Sequence, residues 1–166
     1  EQLIVKAIAT PQGNNSAIYY NSLGDAFRDQ EKYPLALGAY KKAILLNPKN
    51  MIALNNLATL YLTGHKLDEA FEYYNRILAL DPHNALAFFN IGLAHRDHGN
   101  KHLAYEFFIK AISAKNDFYQ AHNAVGKLLA DSKKWDEAKT HYQQAILHNN
   151  KSWDAWGLYS KTRINM

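Results

Sequence analysis

Apolar residues follow one another along this chain at the three- and four-residue spacings of amphipathic helices, and the same arrangement returns every 34 residues. The copies begin, without insertions between them, at Ala17, Met51, Ala85, Tyr119 and, for a truncated fifth, Trp153. Pro48 and Pro82 lie just beyond the point where the helical pattern of their copies ends, and proline cannot continue a helix. The pattern therefore predicts that each copy forms two helices and that the second helix ends before the next copy.

Small and large apolar residues keep fixed places within the copies. Position 20 is alanine in every full copy, and position 24, on the same helical face, is a ring: Tyr40, Tyr74, Phe108 and Tyr142. Position 7 is a branched apolar residue, and the small residue directly after it is Gly24, Ala58, Gly92 or Gly126. Small residues let neighbouring helices approach closely, so this pattern predicts tightly packed helix pairs.

This arrangement resembles the tetratricopeptide repeat (TPR) family, whose signature has the same length. The first copy carries the signature most completely, as Tyr20-x2-Leu23-Gly24-x2-Phe27, then Ala36-x3-Tyr40, Ala43 and Pro48. The third copy departs from it, because His95 replaces an aromatic residue and Asn116 replaces the proline. The resemblance implies an all-α fold, a right-handed superhelical solenoid of antiparallel helix pairs.

The expected organisation is one quasi-linear domain. Its segments are 1–16, a partial repeat or N-terminal capping helix; 17–50, 51–84, 85–118 and 119–152, TPR repeats 1 to 4; and 153–166, a C-terminal capping helix or truncated repeat. A terminal repeat normally needs a polar outer face, whereas both ends here are apolar, with Trp153 and Trp156 at the C-terminal one. We therefore expect a fragment of a longer array or, as the alternative, a homo-oligomer formed through the terminal helices.

Composition bears on the class of protein, on its compartment and on its partners. The 166 residues are 48% hydrophobic, which is typical of a folded chain, and no run is long and apolar enough for a membrane span, so we expect a soluble protein. The absence of cysteine excludes disulfides and leaves the compartment open; we expect the cytoplasm, with the periplasm as the alternative. The net charge of +4 is mild and forms no basic stripe, so nucleic acid is not the expected partner, although single-stranded RNA is kept as a minor alternative.

The sequence contains no pattern that predicts catalysis. Nucleophile elbows, phosphate loops and zinc-binding helix motifs are all missing. His95, His98 and His102 have helical spacing, but the turn predicted at Gly99 and Asn100 interrupts it. We therefore expect no enzymatic activity, no cofactor and no bound metal.

The resemblance implies a concave groove lined by positions 2, 5, 6, 9, 12 and 13 of each repeat. Five asparagines occupy positions 5 and 6, and their amides could pair with the backbone of an extended peptide, as a ladder; the alternative is that some simply face solvent in an asparagine-rich chain. Apolar residues near the middle would select side chains. The candidate partner-binding residues are Asn21, Asp25, Arg28, Ile52, Asn55, Asn56, Thr59, Leu62, Leu86, Phe89, Asn90, Leu93, Arg96, Gln120, Asn123 and Lys127.

The same positions argue against one familiar TPR function. Chaperone-adaptor TPR domains hold a C-terminal carboxylate with lysine and arginine, whereas Asn21, Leu86 and Asn90 stand where those cations would be needed. The sequence therefore predicts a non-catalytic scaffold that binds a peptide segment of a protein partner. The runner-up is a substrate-recruiting or regulatory arm of a larger enzyme, such as a glycosyltransferase, or of a secretion or pilus assembly.

Overall fold

A computed structural model describes residues 14–164, and this part of the chain folds into consecutive α-helices. Their bounds are α1 Asn14–Asp29, α2 Tyr33–Leu46, α3 Met51–Thr63, α4 Leu67–Leu80, α5 Ala85–Asp97, α6 Lys101–Ala114, α7 Tyr119–Asp131, α8 Trp135–His148 and α9 Trp153–Ile164. The predicted partial repeat at 1–16 falls largely on residues 1–13, outside the described range. The chain divides into two compact units, unit 1 ending at Leu80 and unit 2 beginning at Asp81.

Each unit is built from helix pairs that pack on one another and on the next pair. In unit 1, α1 packs on α2, α3 on α4, and α2 on α3; in unit 2, α5 to α9 follow the same scheme. The predicted close packing is confirmed. A Cβ added to Gly126 would lie 2.5 Å from the ring of Tyr142, and one added to Gly92 would lie 2.6 Å from the ring of Phe108. These glycines let the fully buried rings lie directly against the facing helix.

The two helices of each repeat are joined by the same tight turn at position 15. The residue there has a positive φ in every full repeat: 58° at Glu31, 57° at His65, 79° at Gly99 and 61° at Lys133. The following N–H donates back to a carbonyl five residues earlier, as from Asn100 to His95 at 2.9 Å. This is the Schellman ending of a helix, which glycine accommodates without steric strain and other residues do not.

Several asparagines outside the predicted groove cap the N-termini of helices. The side-chain oxygens of Asn50, Asn84 and Asn100 accept from backbone N–H groups three residues on, at 3.1, 2.9 and 3.2 Å. Asparagine is among the best N-cap residues, because its side chain satisfies an N–H that has no partner within the helix. Part of the high asparagine content therefore serves the fold.

Candidate functional site

The predicted groove residues lie on the first helix of each pair, which is α1 or α3 in unit 1 and α5 or α7 in unit 2. The surroundings of these residues differ between the two units. In unit 1, hydrogen bonds and an ion pair link four of the polar members, which are Asn21, Asp25, Arg28 and Asn56. In unit 2 several of them line an open groove.

In unit 1, polar side chains converge on the carboxylate of Asp25. Its Oδ1 accepts from the Tyr40 hydroxyl at 2.8 Å and from Asn56 Nδ2 at 3.0 Å, and it lies 3.3 Å from Arg28 Nη1. Asn56 Nδ2 also donates to Asn21 Oδ1 at 3.1 Å, and Asn21 Nδ2 donates to Asp25 Oδ2 at 3.3 Å. We call these five residues the Asp25 network; it links α1 to both α2 and α3.

The network also has an electrostatic signature. Burial and then the hydrogen bond to Asp25 raise the pKa of Tyr40, because both favour the neutral phenol. Asn21 is only 9% exposed, so its amide is committed to the network. Two of the five asparagines predicted to form a peptide-binding ladder, Asn21 and Asn56, therefore hold helices of unit 1 together.

The Asp25 network illustrates a pairing between positions 9 and 24 of the repeats. The hydroxyl of Tyr74 lies 3.3 Å from Oγ1 of Thr59, the equivalent of Asp25. In the third repeat position 24 is phenylalanine, and the position 9 residue is the apolar Leu93, which packs against the cluster that contains that ring. In the first three repeats, position 9 is therefore polar where position 24 carries a hydroxyl and apolar where it does not; in the fourth, Lys127 is polar but the Tyr142 hydroxyl has no hydrogen-bond partner within residues 14–164.

Unit 2 contains an open groove of about 520 Å³. Six of its lining residues are among the predicted ones: Phe89, Leu93, Arg96, Gln120, Asn123 and Lys127. The remaining lining residues, which the sequence analysis missed, are Tyr119, Ala124, Asn149, Lys151, Ser152, Trp153 and Asp154. Most of these belong to the turn after α8 and the start of α9, and continuing the repeat positions into the fifth copy would have found Asp154 at position 2. We call this site the unit 2 groove.

One wall of the unit 2 groove is apolar and anchored in the core. The ring of Phe89 lies 5.5 Å from that of Phe108 and 5.0 Å from that of Phe118, centroid to centroid. Leu93 is half-buried beside it, and the indole of Trp153 is 85% exposed. The predicted groove residues outside this site include Leu86, 48% exposed, in unit 2 and Ile52, 67% exposed, in unit 1.

At the polar wall, one lining residue has a side-chain oxygen for which the described chain supplies no hydrogen-bond donor. Asn123 Oδ1 is buried, and between residues 14 and 164 it has no hydrogen-bond partner. The same holds for the hydroxyl of Tyr142, on the neighbouring helix α8, and burial raises the pKa of Tyr142 to about 12. Buried polar atoms are almost always hydrogen-bonded in folded proteins, so these two oxygens are exceptions within the described chain.

The three histidines with helical spacing, His95, His98 and His102, contact three different groups. The ring of His95 stacks on Phe107 at 5.5 Å, His98 Nδ1 lies 2.9 Å from the carbonyl of Ala94, and His102 lies 3.6 Å from Glu106 on the surface. No group of three or more metal-binding side chains occurs among the residues that the structure describes.

A different histidine cluster occurs in unit 2. His122, only 5% exposed, lies 3.0 Å from the carbonyl of Asn116 through Nε2 and 3.2 Å from His141 Nδ1 through its own Nδ1. The carbonyl can only accept, so Nε2 of His122 carries the proton and its Nδ1 accepts from His141. Burial lowers the pKa of both rings, and neighbouring histidines, His148 for His122 and His122 for His141, lower it further.

Helix length and hydropathy also decide whether a helix can cross a membrane. Over residues 14–164, no helix is both long and apolar enough to cross a bilayer.

Helix pairs of constant length, with small residues against rings and a common turn, define a TPR array, and comparison with known families agrees. Models of the tetratricopeptide repeat match residues 21–85 and 85–118. The chain belongs to the tetratricopeptide repeat family, and its fold is an all-α TPR solenoid.

Similar solved structures share this fold. MamA is 24% identical over 82% of this chain and 80% of its own, with a TM-score of 0.68. The pilF protein of Pseudomonas aeruginosa is 21% identical over 90% of this chain and 70% of its own, with a TM-score of 0.76. YrrB is 20% identical over 97% of this chain and 82% of its own, with a TM-score of 0.66. Comparison with curated protein sequences gives no significant match.

Proposed function

We propose that this chain is a non-catalytic protein-interaction scaffold that binds a peptide segment of a partner protein in the unit 2 groove. One observation carries the proposal: Asn123 lines the groove beside the apolar wall of Phe89 and Leu93, and its buried Oδ1 has no hydrogen-bond partner within residues 14–164. An extended peptide presents backbone N–H groups that can donate to this oxygen when the side chain of Asn123 turns toward the groove, while the apolar wall takes a side chain.

Fewer asparagines contact the peptide in this proposal than in the predicted ladder. Asn21 and Asn56 belong to the Asp25 network. Asn123 takes the principal contact with peptide backbone, because this residue lines the groove and its buried Oδ1 lacks a hydrogen-bond partner in the described chain. Asn55 and Asn90 stay candidates for further contacts, since both are only half-buried.

A fold relative is consistent with peptide binding. YrrB is described as a TPR protein with an unusual peptide-binding site. The identity of 20% shows a shared fold, so the proposal rests on the groove of this chain and takes only the class of ligand from that comparison. The runner-up function, a recruiting arm of a larger enzyme or assembly, would use the same groove.

The test is selection of binders from a displayed library of random 12-residue peptides on the purified chain, followed by affinity measurement with the corresponding synthetic peptides. Asn123→Ala should weaken binding by roughly two- to tenfold, the value of one hydrogen bond. Asn75→Ala, an exposed asparagine in unit 1, is the matched control and should bind as the wild type does. Failure to select any peptide, or equal binding by Asn123→Ala, would contradict the proposal.

A further inference from the structure

The charges that line the unit 2 groove are unbalanced. Its basic lining residues are Arg96, Lys127 and Lys151, and its acidic lining residue is Asp154. Arg96 is already neutralised, because its Nη2 lies 2.7 Å from Asp97 Oδ1. The ammonium groups of Lys127 and Lys151 have no ion-pair partner anywhere in residues 14–164, so two cations in the groove are available to a ligand.

These two cations come from different elements. Lys127 lies on α7, one helical turn after Asn123, and Lys151 lies in the turn between α8 and α9. Both line the same groove as Phe89 and Trp153. Cations set in a concave surface with low-dielectric apolar walls attract anions more strongly than the same cations on a flat, hydrated surface.

We propose that the unit 2 groove selects acidic peptide segments, in which an aspartate or glutamate carboxylate contacts Lys127 and Lys151 and a neighbouring apolar side chain packs on Phe89 and Leu93. This inference rests on the proposed peptide binding and adds the chemistry of the partner. A carboxylate suits the lysines, because ammonium-to-carboxylate hydrogen bonds are stronger than neutral ones. Nucleic acid suits the groove less well, since its lining combines the two unpaired lysines with Asp154 and apolar side chains, whereas successive phosphates need a continuous basic surface.

The experiment uses peptides selected on the full chain, each synthesised with its acidic residues and again with Asp→Asn and Glu→Gln. Fluorescence anisotropy should show that the amide versions bind roughly five- to twentyfold more weakly. Lys127→Gln and Lys151→Gln should each weaken the acidic peptides by roughly two- to fivefold, as expected for partly exposed ion pairs, and leave the amide versions unchanged. The affinity of the acidic versions should also fall between 50 mM and 500 mM NaCl.

Lys42→Gln is the matched control, because it removes the same charge from an exposed site on α2 in unit 1 and should change nothing. The outcomes separate the two proposals. If no peptide is selected, both fail. If the selected peptides are neutral or basic, or if their amide versions bind equally well, the acidic preference fails and peptide binding stands. Tighter binding of an oligouridylate than of any selected acidic peptide would overturn the preference in favour of RNA.

Discussion

Replacing Asn56 by alanine should destabilise the protein, because the Asp25 network uses this asparagine to hold α3 against α1. Its amide donates to Asp25 Oδ1 at 3.0 Å and to Asn21 Oδ1 at 3.1 Å. A hydrogen bond to a charged group is worth about 1.5–3 kcal/mol, and the lower end applies because the Asp25 side chain is 34% exposed. The bond to Asn21 adds about 1 kcal/mol, and the better helix propensity of alanine returns about 0.6 kcal/mol. The net loss is about 2 kcal/mol.

The measurement is urea unfolding followed by far-UV circular dichroism, with the thermal midpoint as a second readout. A loss of about 2 kcal/mol corresponds to a midpoint lower by about 4–8 °C for a chain of this size. The control is Asn75→Ala on α4, an exposed site where the same change should be neutral or should stabilise by up to about 0.6 kcal/mol. If Asn56→Ala unfolds at the same urea concentration as the wild type, or at a higher one, the structural role assigned to Asn56 is wrong.

Two further predictions concern glycine and histidine. Gly99→Ala should destabilise the protein by about 1 kcal/mol, because φ is 79° there and the space around its Cβ position is open, so only the backbone conformation opposes the change. Gly38→Ala, in the exposed interior of α2 with similar space, should stabilise it by about 0.5–1 kcal/mol. If urea unfolding shows that both changes shift the free energy of unfolding in the same direction, this reasoning is refuted. Because the pKa values of His122 and His141 are lowered, the folded chain binds fewer protons than the unfolded one, and stability should fall as the pH drops below about 6.5. The thermal midpoint of His122→Leu should fall less between pH 7.5 and 5.5 than that of the wild type, and the exposed control His83→Gln should follow the wild type.

The repeat pattern predicted much of the fold because it is local and periodic. Helices begin at Met51, Ala85, Tyr119 and Trp153, the residues at which the sequence starts a new copy. The alanine at position 20 and the ring at position 24 are completely buried in each full copy. Helical spacing places such residues on one face, and close packing then leaves little freedom in which of them are buried.

Two further features of the fold have signals in the sequence. Asn50 and Asn84 directly precede the starts of helices, where asparagine is a preferred cap, whereas the sequence-based interpretation of asparagine was a ligand-binding or a solvent-facing side chain. The pairing of positions 9 and 24 could also have been found by comparing the copies. By contrast, no local pattern indicates the contact between His122 and His141, which lie 19 residues apart on different helices.

The sequence by itself determined the family, the helix pairs and the positions that can face a groove, since these follow from a 34-residue period and helical geometry. The tertiary structure decided which of these residues hydrogen-bond to one another and which do not. Asn21 and Asn123 both occupy position 5 of their repeats, but the amide of Asn21 hydrogen-bonds to Asp25 and Asn56, whereas the buried Oδ1 of Asn123 has no hydrogen-bond partner in the described chain. That difference depends on side chains that meet only when separate helices pack, and a periodic pattern does not encode it.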